Sequence, residues 1–308
     1  MAQGFFDLIH NVYIGLFALA VILALWLPKT GKGKVGAAIL AAAVMSIPMV
    51  IGLKHQAERR EQVAKEQVVV NRARMRFDEL CQGAGYRINR TVDDVDAVML
   101  LKVRPNLGLT DYLDPMLPGA AMAGERGGNS YIETFLGGEL RHPSNPPEHR
   151  GGIGLGGDPS LPRYRYVDVV DPHDGKRYRY TSANNIAEAK TATGALVPGG
   201  RASLQRELAS GPPPRYAVDY EDIVNPEDRK LWIAGAIIRV IDQQTGDVLG
   251  EYTTYLMDGG MGTTDGTRSP WSHASHRELQ CPEVNGFTDT HTRYFVDRVL
   301  KIKSGSKA

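Results

Sequence analysis

The sequence reads as an α+β protein: a two-helix transmembrane hairpin, a helical stalk, and a mainly antiparallel β-sheet domain with a C-terminal helix. Three features carry that reading. Two long apolar runs lie near the N-terminus, and a segment free of Gly and Pro follows them. The rest of the chain then alternates apolar and polar residues between turn-forming clusters.

The 308 residues suffice for one or two domains with their own core. A hydrophobic fraction of 42% with 23% charged residues excludes a disordered or collagen-like chain. Thirty-six Lys+Arg against 35 Asp+Glu leave a net charge of +1, without the basic excess that nucleic acid demands. No nucleic-acid partner is expected.

Residues 11–27 hold no ionisable side chain, and extension back to Phe5 gives a first span of about 5–27, with Asp7 and His10 near its outer end. Residues 35–53 form a second uncharged run. About 20 apolar residues cross a hydrocarbon core of roughly 30 Å, so both qualify. A cleaved signal peptide would carry a basic start and no second run, and a soluble core helix would keep a polar face. Residues 1–53 are therefore expected to form a hairpin in the lipid bilayer. Lys29, Lys32 and Lys34 mark the link as cytoplasmic, which exports both chain ends. Lys54, Arg59, Arg60, Lys65 and Arg72 pull the other way, and the opposite orientation would leave the domain in the cytoplasm.

The stalk, residues 54–83, has no Gly or Pro before Gly83. Val63, Val70 and Phe77 recur every seven residues, with Ala73 and Leu80 beside them and Glu66 interrupting. This stripe is expected to dock on its own domain, with a homo-oligomer through the stalk as the alternative.

Residues 84–303 form the folded domain. Strands are expected at 86–91 and 98–103, separated by a turn at 93–96. Residues 105–163 lack periodicity, are rich in Gly and Pro, and read as a long loop insertion. Residues 164–170 and 176–180 flank the turn Asp171-Pro-His-Asp-Gly175 as a hairpin. Short helices are expected around Ile186 and Leu204. Residues 216–220, 231–241 and 248–256 then read as an antiparallel meander. Its middle strand is apolar at nearly every position, hence covered on both faces. A final helix near 288–301 would lay Phe295, Val299 and Ile302 on the sheet, and residues 304–308 are expected to be a disordered tail.

Signatures of chemistry are sparse. The glycine run 151–157 carries no Lys-Ser/Thr and is preceded by Pro146, Pro147 and Glu148, so it is no phosphate loop. There is no Gly-x-Ser-x-Gly elbow and no His-Glu-x-x-His. Asp171, His173 and Asp174 are turn formers, and Glu133, Glu139 and Glu148 define no carboxylate pair. No catalytic residue and no cofactor is assigned. The segment from Ser272 to Glu283, read as an exposed loop, poses the one sharp choice. His273 and His276 sit three apart, and Cys281 could add a thiolate, as zinc would want. That set is short of a complete ligand shell. Otherwise Cys281 pairs with Cys81, since an even cysteine count in an exported domain favours a disulfide.

The chain resembles a group of uncharacterised proteobacterial inner-membrane proteins with two N-terminal transmembrane helices and a cysteine-containing periplasmic domain. The likeness rests on Leu80-Cys81, Ala84-Gly85 and Thr91, on Leu249-Gly-Glu-Tyr-Thr-Thr254, and on Cys281-Pro282 before the last helix. It implies paired cysteines and an envelope location, and it brings no activity. The expectation is a non-catalytic envelope protein of the bacterial inner membrane, with its domain in the periplasm for binding another envelope protein. The alternatives are a membrane-anchored metal-dependent hydrolase using His273 and His276, and a cytoplasm-facing signalling or defence module.

Overall fold

The structure, a computed structural model, describes residues 31–139, 153–155, 163–183, 189–190, 196–197, 203–275, 279–283 and 291–303, together with residues 15, 22 and 26. Two compact units divide it, Met1–Val69 and Val70–Ala308.

Helix α1 spans Gly31–Cys81. The backbone expected as second span and stalk is thus one helix. Among the described residues no helix is long and apolar enough to cross a membrane. The expected spans at 5–27 and 35–53 lie almost wholly outside the residues whose side chains are described. Within the first unit the helix exposes Val63 and Val68. From Val70 onward it belongs to the second unit, where Ala73 and Phe77 are buried. Expected docking of the stripe therefore holds for its last turns.

Strands β1 (Gly85–Ile88), β2 (Val92–Val95) and β3 (Ala97–Leu100) follow. Residues 93–96, expected as a turn, are largely strand β2. The insertion at 105–163 is not all loop. Two 3-10 turns, Asp111–Leu113 and Pro118–Met122, lead to helix α2, Gly128–Leu136. Tyr131, Ile132, Phe135 and Leu136 share its buried face. Gly127 is required where this helix begins, because a Cβ there would stand 2.1 Å from the Pro105 carbonyl oxygen. Strands β4 (Gly138–Glu139) and β5 (Ile153–Gly154) close the described part of the insertion as an antiparallel pair.

The hairpin comes next as β6 (Tyr166–Val170) and β7 (Arg177–Ala183). Asp171 and Asp174 accept from the backbone N–H groups of His173 and Lys176, which fixes the turn as read. Strands β8 (Ala189–Lys190) and β9 (Leu196–Val197) pair with each other. The helix expected at Leu204 is instead strand β10, Ser203–Leu208, bonded to β7 over its whole length. Helix-forming Gln205, Arg206 and Glu207 yield to the hydrogen bonds that the open edge of β7 offers. The helix expected at Ile186 lies outside the described residues.

Strand β11 (Tyr216–Ile223), helix α3 (Pro226–Lys230), strand β12 (Ile233–Asp242) and strand β13 (Val248–Met257) build the expected meander. Asn225 caps α3 by accepting from Glu227 N–H at 2.9 Å. Helix α4 (Pro270–Ala274) and strand β14 (Gln280–Cys281) replace the expected exposed loop. Helix α5, His291–Val299, buries Phe295, Val296 and Val299. The chain then turns into strand β15, Leu300–Ile302, beside β2, so Ile302 sits on a strand rather than on the helix.

The main sheet has nine strands in the order β1-β13-β12-β11-β3-β6-β7-β10, with β14 also on β13. It is mixed rather than purely antiparallel, because β3 runs parallel to both β11 and β6. Val98, Met99 and Leu100 explain this. A short, continuously apolar run suits a strand covered on both faces. One sheet face, through Leu100, Val167, Val218, Ile238 and Tyr252, packs on α2 and α5 through Phe135, Phe295 and Val296. The other packs Ile233 and Met257 against Ala73 and Phe77 of α1. The two faces of β12 alternate at Ile233 and Ala234, as a strand period of two requires.

Candidate functional site

After β13 the chain enters a loop organised by one carboxylate. Asp258 is fully buried. It accepts from the N–H groups of Gly260 at 3.1 Å and Gly262 at 2.8 Å, and it pairs with the guanidinium of Arg268 through both oxygens. Arg268 also donates to the Thr263 carbonyl at 2.8 Å. Gly262 has φ +78°, and a Cβ there would lie 2.1 Å from the Trp232 indole. Trp232 in turn sits 5.1 Å from Trp271 of α4, ring centre to ring centre. The Trp271 indole N–H donates to the Asp114 carbonyl at 2.8 Å, which ties α4 to the insertion.

Between this loop, α4 and β14 lies a cavity of about 330 Å³. Met257, Ala274 and Leu279 supply apolar walls, while Asp258, Arg268 and His273 supply the polar ones. Asp258 and Arg268 spend their charges on each other. His273 is exposed on α4, and its imidazole makes no hydrogen bond among the described residues. A cavity of this size fits a small ligand or one inserted side chain. General acid–base or nucleophilic work would need a partner to orient the imidazole, and no such partner stands beside it among the described residues.

The residues singled out in the sequence separate here. His273 lines the cavity, whereas His276 lies outside the described residues. Cys281 is bonded to Cys81 at an S–S distance of 1.98 Å, with 200 residues between them. A disulfide sulfur is no thiolate, so Cys281 cannot complete a zinc shell while the bond stands. Among the described residues no group of three or more His, Cys, Asp or Glu is placed to hold a metal. The disulfide joins the end of α1 to β14. Around it pack Leu80, Tyr255, Met261 and Leu279, so it also backs the cavity wall at Leu279.

Sequence reasoning missed a buried ionic network on the other side of the sheet. Glu125 accepts from Thr292 N–H at 2.8 Å, from the Thr292 hydroxyl at 2.7 Å and from Arg104 Nε at 3.1 Å. Its carboxylate therefore caps the first turn of α5, where a helix N-terminus favours negative charge. Burial pushes the Glu125 carboxyl above its usual range, and Arg104 pulls it back. Arg104 donates to Asp222 at 3.1 Å and lies 4.0 Å from the centre of the Tyr220 ring. Burial, chiefly, raises the Tyr131 hydroxyl as well. These partners are 21 and 167 residues apart, so no local motif announces them.

No protein-family model, curated protein or solved structure matches this chain.

Proposed function

We propose that the chain is a membrane-anchored, non-catalytic envelope protein. Its N-terminal apolar runs sit in the bacterial inner membrane, and its folded unit faces the periplasm to bind another envelope protein. The observation that carries the reading is the Cys81–Cys281 bond, because disulfides persist in oxidising compartments and are rare in the cytosol. The uncharged runs at 11–27 and 35–53 supply the anchor, and the basic link between them supplies the orientation. The cavity beside His273 offers the partner an apolar seat with one imidazole at its mouth.

Reporter fusions test the orientation. An alkaline phosphatase fused after Ala308 is expected to be active in cells, while a cytoplasm-dependent reporter at the same place stays silent. The reverse pattern would favour the cytoplasmic signalling reading.

A further inference from the structure

Arg229 is a buried cation that neither of these arrangements uses. It stands on α3 with 1% of its surface exposed. Its Nη2 donates to the Pro118 carbonyl at 3.2 Å, and the guanidinium lies 5.3 Å from the Trp271 ring centre. Its Nε and Nη1 are buried and have no acceptor. Desolvating a guanidinium in this way is strongly unfavourable, and burial lowers its pKa to about 10.

Arg104 repeats the pattern. It is 3% exposed, and its Nη2 is a second buried donor without an acceptor. The carboxylates nearby are committed elsewhere: Asp222 to Arg104, Asp228 to Arg76, and Asp114 to the Met116 N–H. Both guanidiniums border the turn Pro118–Met122. Arg229 reaches it through the Pro118 carbonyl. Arg104 Nη1 is the one atom near a Cβ placed on Gly119, at 3.8 Å, so there is room beside that glycine.

We propose that Arg104 and Arg229 form a binding site for a compact monovalent anion, a carboxylate or a halide, entered beside Gly119. Unspent donors on two buried guanidiniums supply the attraction, and the narrow approach excludes bulky anions. The site is separate from the cavity at His273 and does not depend on the membrane reading.

Thermal unfolding of the full-length protein in detergent tests it, with sodium acetate or sodium chloride titrated while a bulky sulfonate holds the ionic strength constant. For the wild type, Tm is expected to rise by about 3–5 °C per tenfold increase in anion beyond its dissociation constant. Arg229→Met should abolish this response without lowering Tm in the sulfonate alone, since it removes an uncompensated charge. Gly119→Val fills the approach, leaves both arginines in place, and should also abolish the response; it decides the matter if Arg229→Met does not fold. A response to acetate alone identifies a carboxylate ligand, and a response to both salts identifies selection by charge and size. The proposal is overturned if neither salt separates the wild type from both variants.

Discussion

Inside the main core, Arg104, Glu125 and Thr292 bond to one another with Glu125 at 1% side-chain exposure. On the opposite sheet face, Arg87, Glu251, Arg239 and Glu221 form a ladder across β1, β13, β12 and β11 with links of 2.7–2.9 Å. The ladder's bonds are as short as the buried ones, yet Arg87 is 70% and Glu221 57% exposed. Distance therefore ranks these interactions poorly, and desolvation ranks them well. An exposed pair exchanges water for a partner at little gain, whereas a buried pair cannot lose one member without stranding the other. The buried network fixes where α5 and the insertion meet the sheet. The ladder occupies a face that would otherwise be solvated.

Removing one member of each network probes that contrast. Glu125→Ala strands the Arg104 charge and the Thr292 N–H in the core, with an expected loss of about 3–5 kcal/mol in urea unfolding. The double replacement Arg104→Met with Glu125→Leu should cost less than Glu125→Ala alone. A double mutant that is worse than the single would break the desolvation argument.

Replacing both Cys81 and Cys281 by Ala comes next, with an expected loss of about 2–5 kcal/mol. Closing 200 residues of chain gives roughly 5 kcal/mol in the chain-entropy model, so a value near the lower end would mean the unfolded chain is already compact.

A third test uses pH at Asp242, whose side chain is hidden from solvent beneath Arg215 and Arg90. The Arg215 hydrogen bonds hold its carboxyl below the usual range. Because the folded pKa lies below the unfolded value of about 3.9, its stabilisation is present above that pH and is lost as pH falls through the folded value. Asp242→Asn should therefore flatten the acid limb of the stability–pH curve and leave its neutral slope unchanged. Smallest of all, Glu251→Ala should cost about 1 kcal/mol or less, and high salt should shrink the difference further.

The same physics separates what could be read in the sequence from what could not. The meander was legible because β12 is apolar at nearly every residue between two turn-forming clusters. The last helix was legible because Phe295 and Val299 repeat at helical spacing. Strand β10 was misread because Leu204 and Leu208 also stand four apart, among residues that form helices well. Its strand character comes from β7, which is remote in the chain until the fold brings it alongside. Helix α2 escaped notice because its apolar face is only two turns long and sits among glycines. Cys281 could be paired because a single alternative cysteine existed. Glu125 could not be placed, since nothing near it in sequence names Arg104 or Thr292 as a partner. His273 was singled out for a metal it shares with no described ligand, and its position on the cavity wall follows from α4, which the sequence read as loop.

The central claim is that the folded unit resides in an oxidising compartment, and the state of the two thiols in cells tests it most directly. Cells are quenched in acid, and the full-length protein is treated with a maleimide that adds mass at each free thiol. The account predicts no added mass before reduction and two additions after it. Two additions without reductant would contradict the account, because Cys81 and Cys281 would then be free where the protein works.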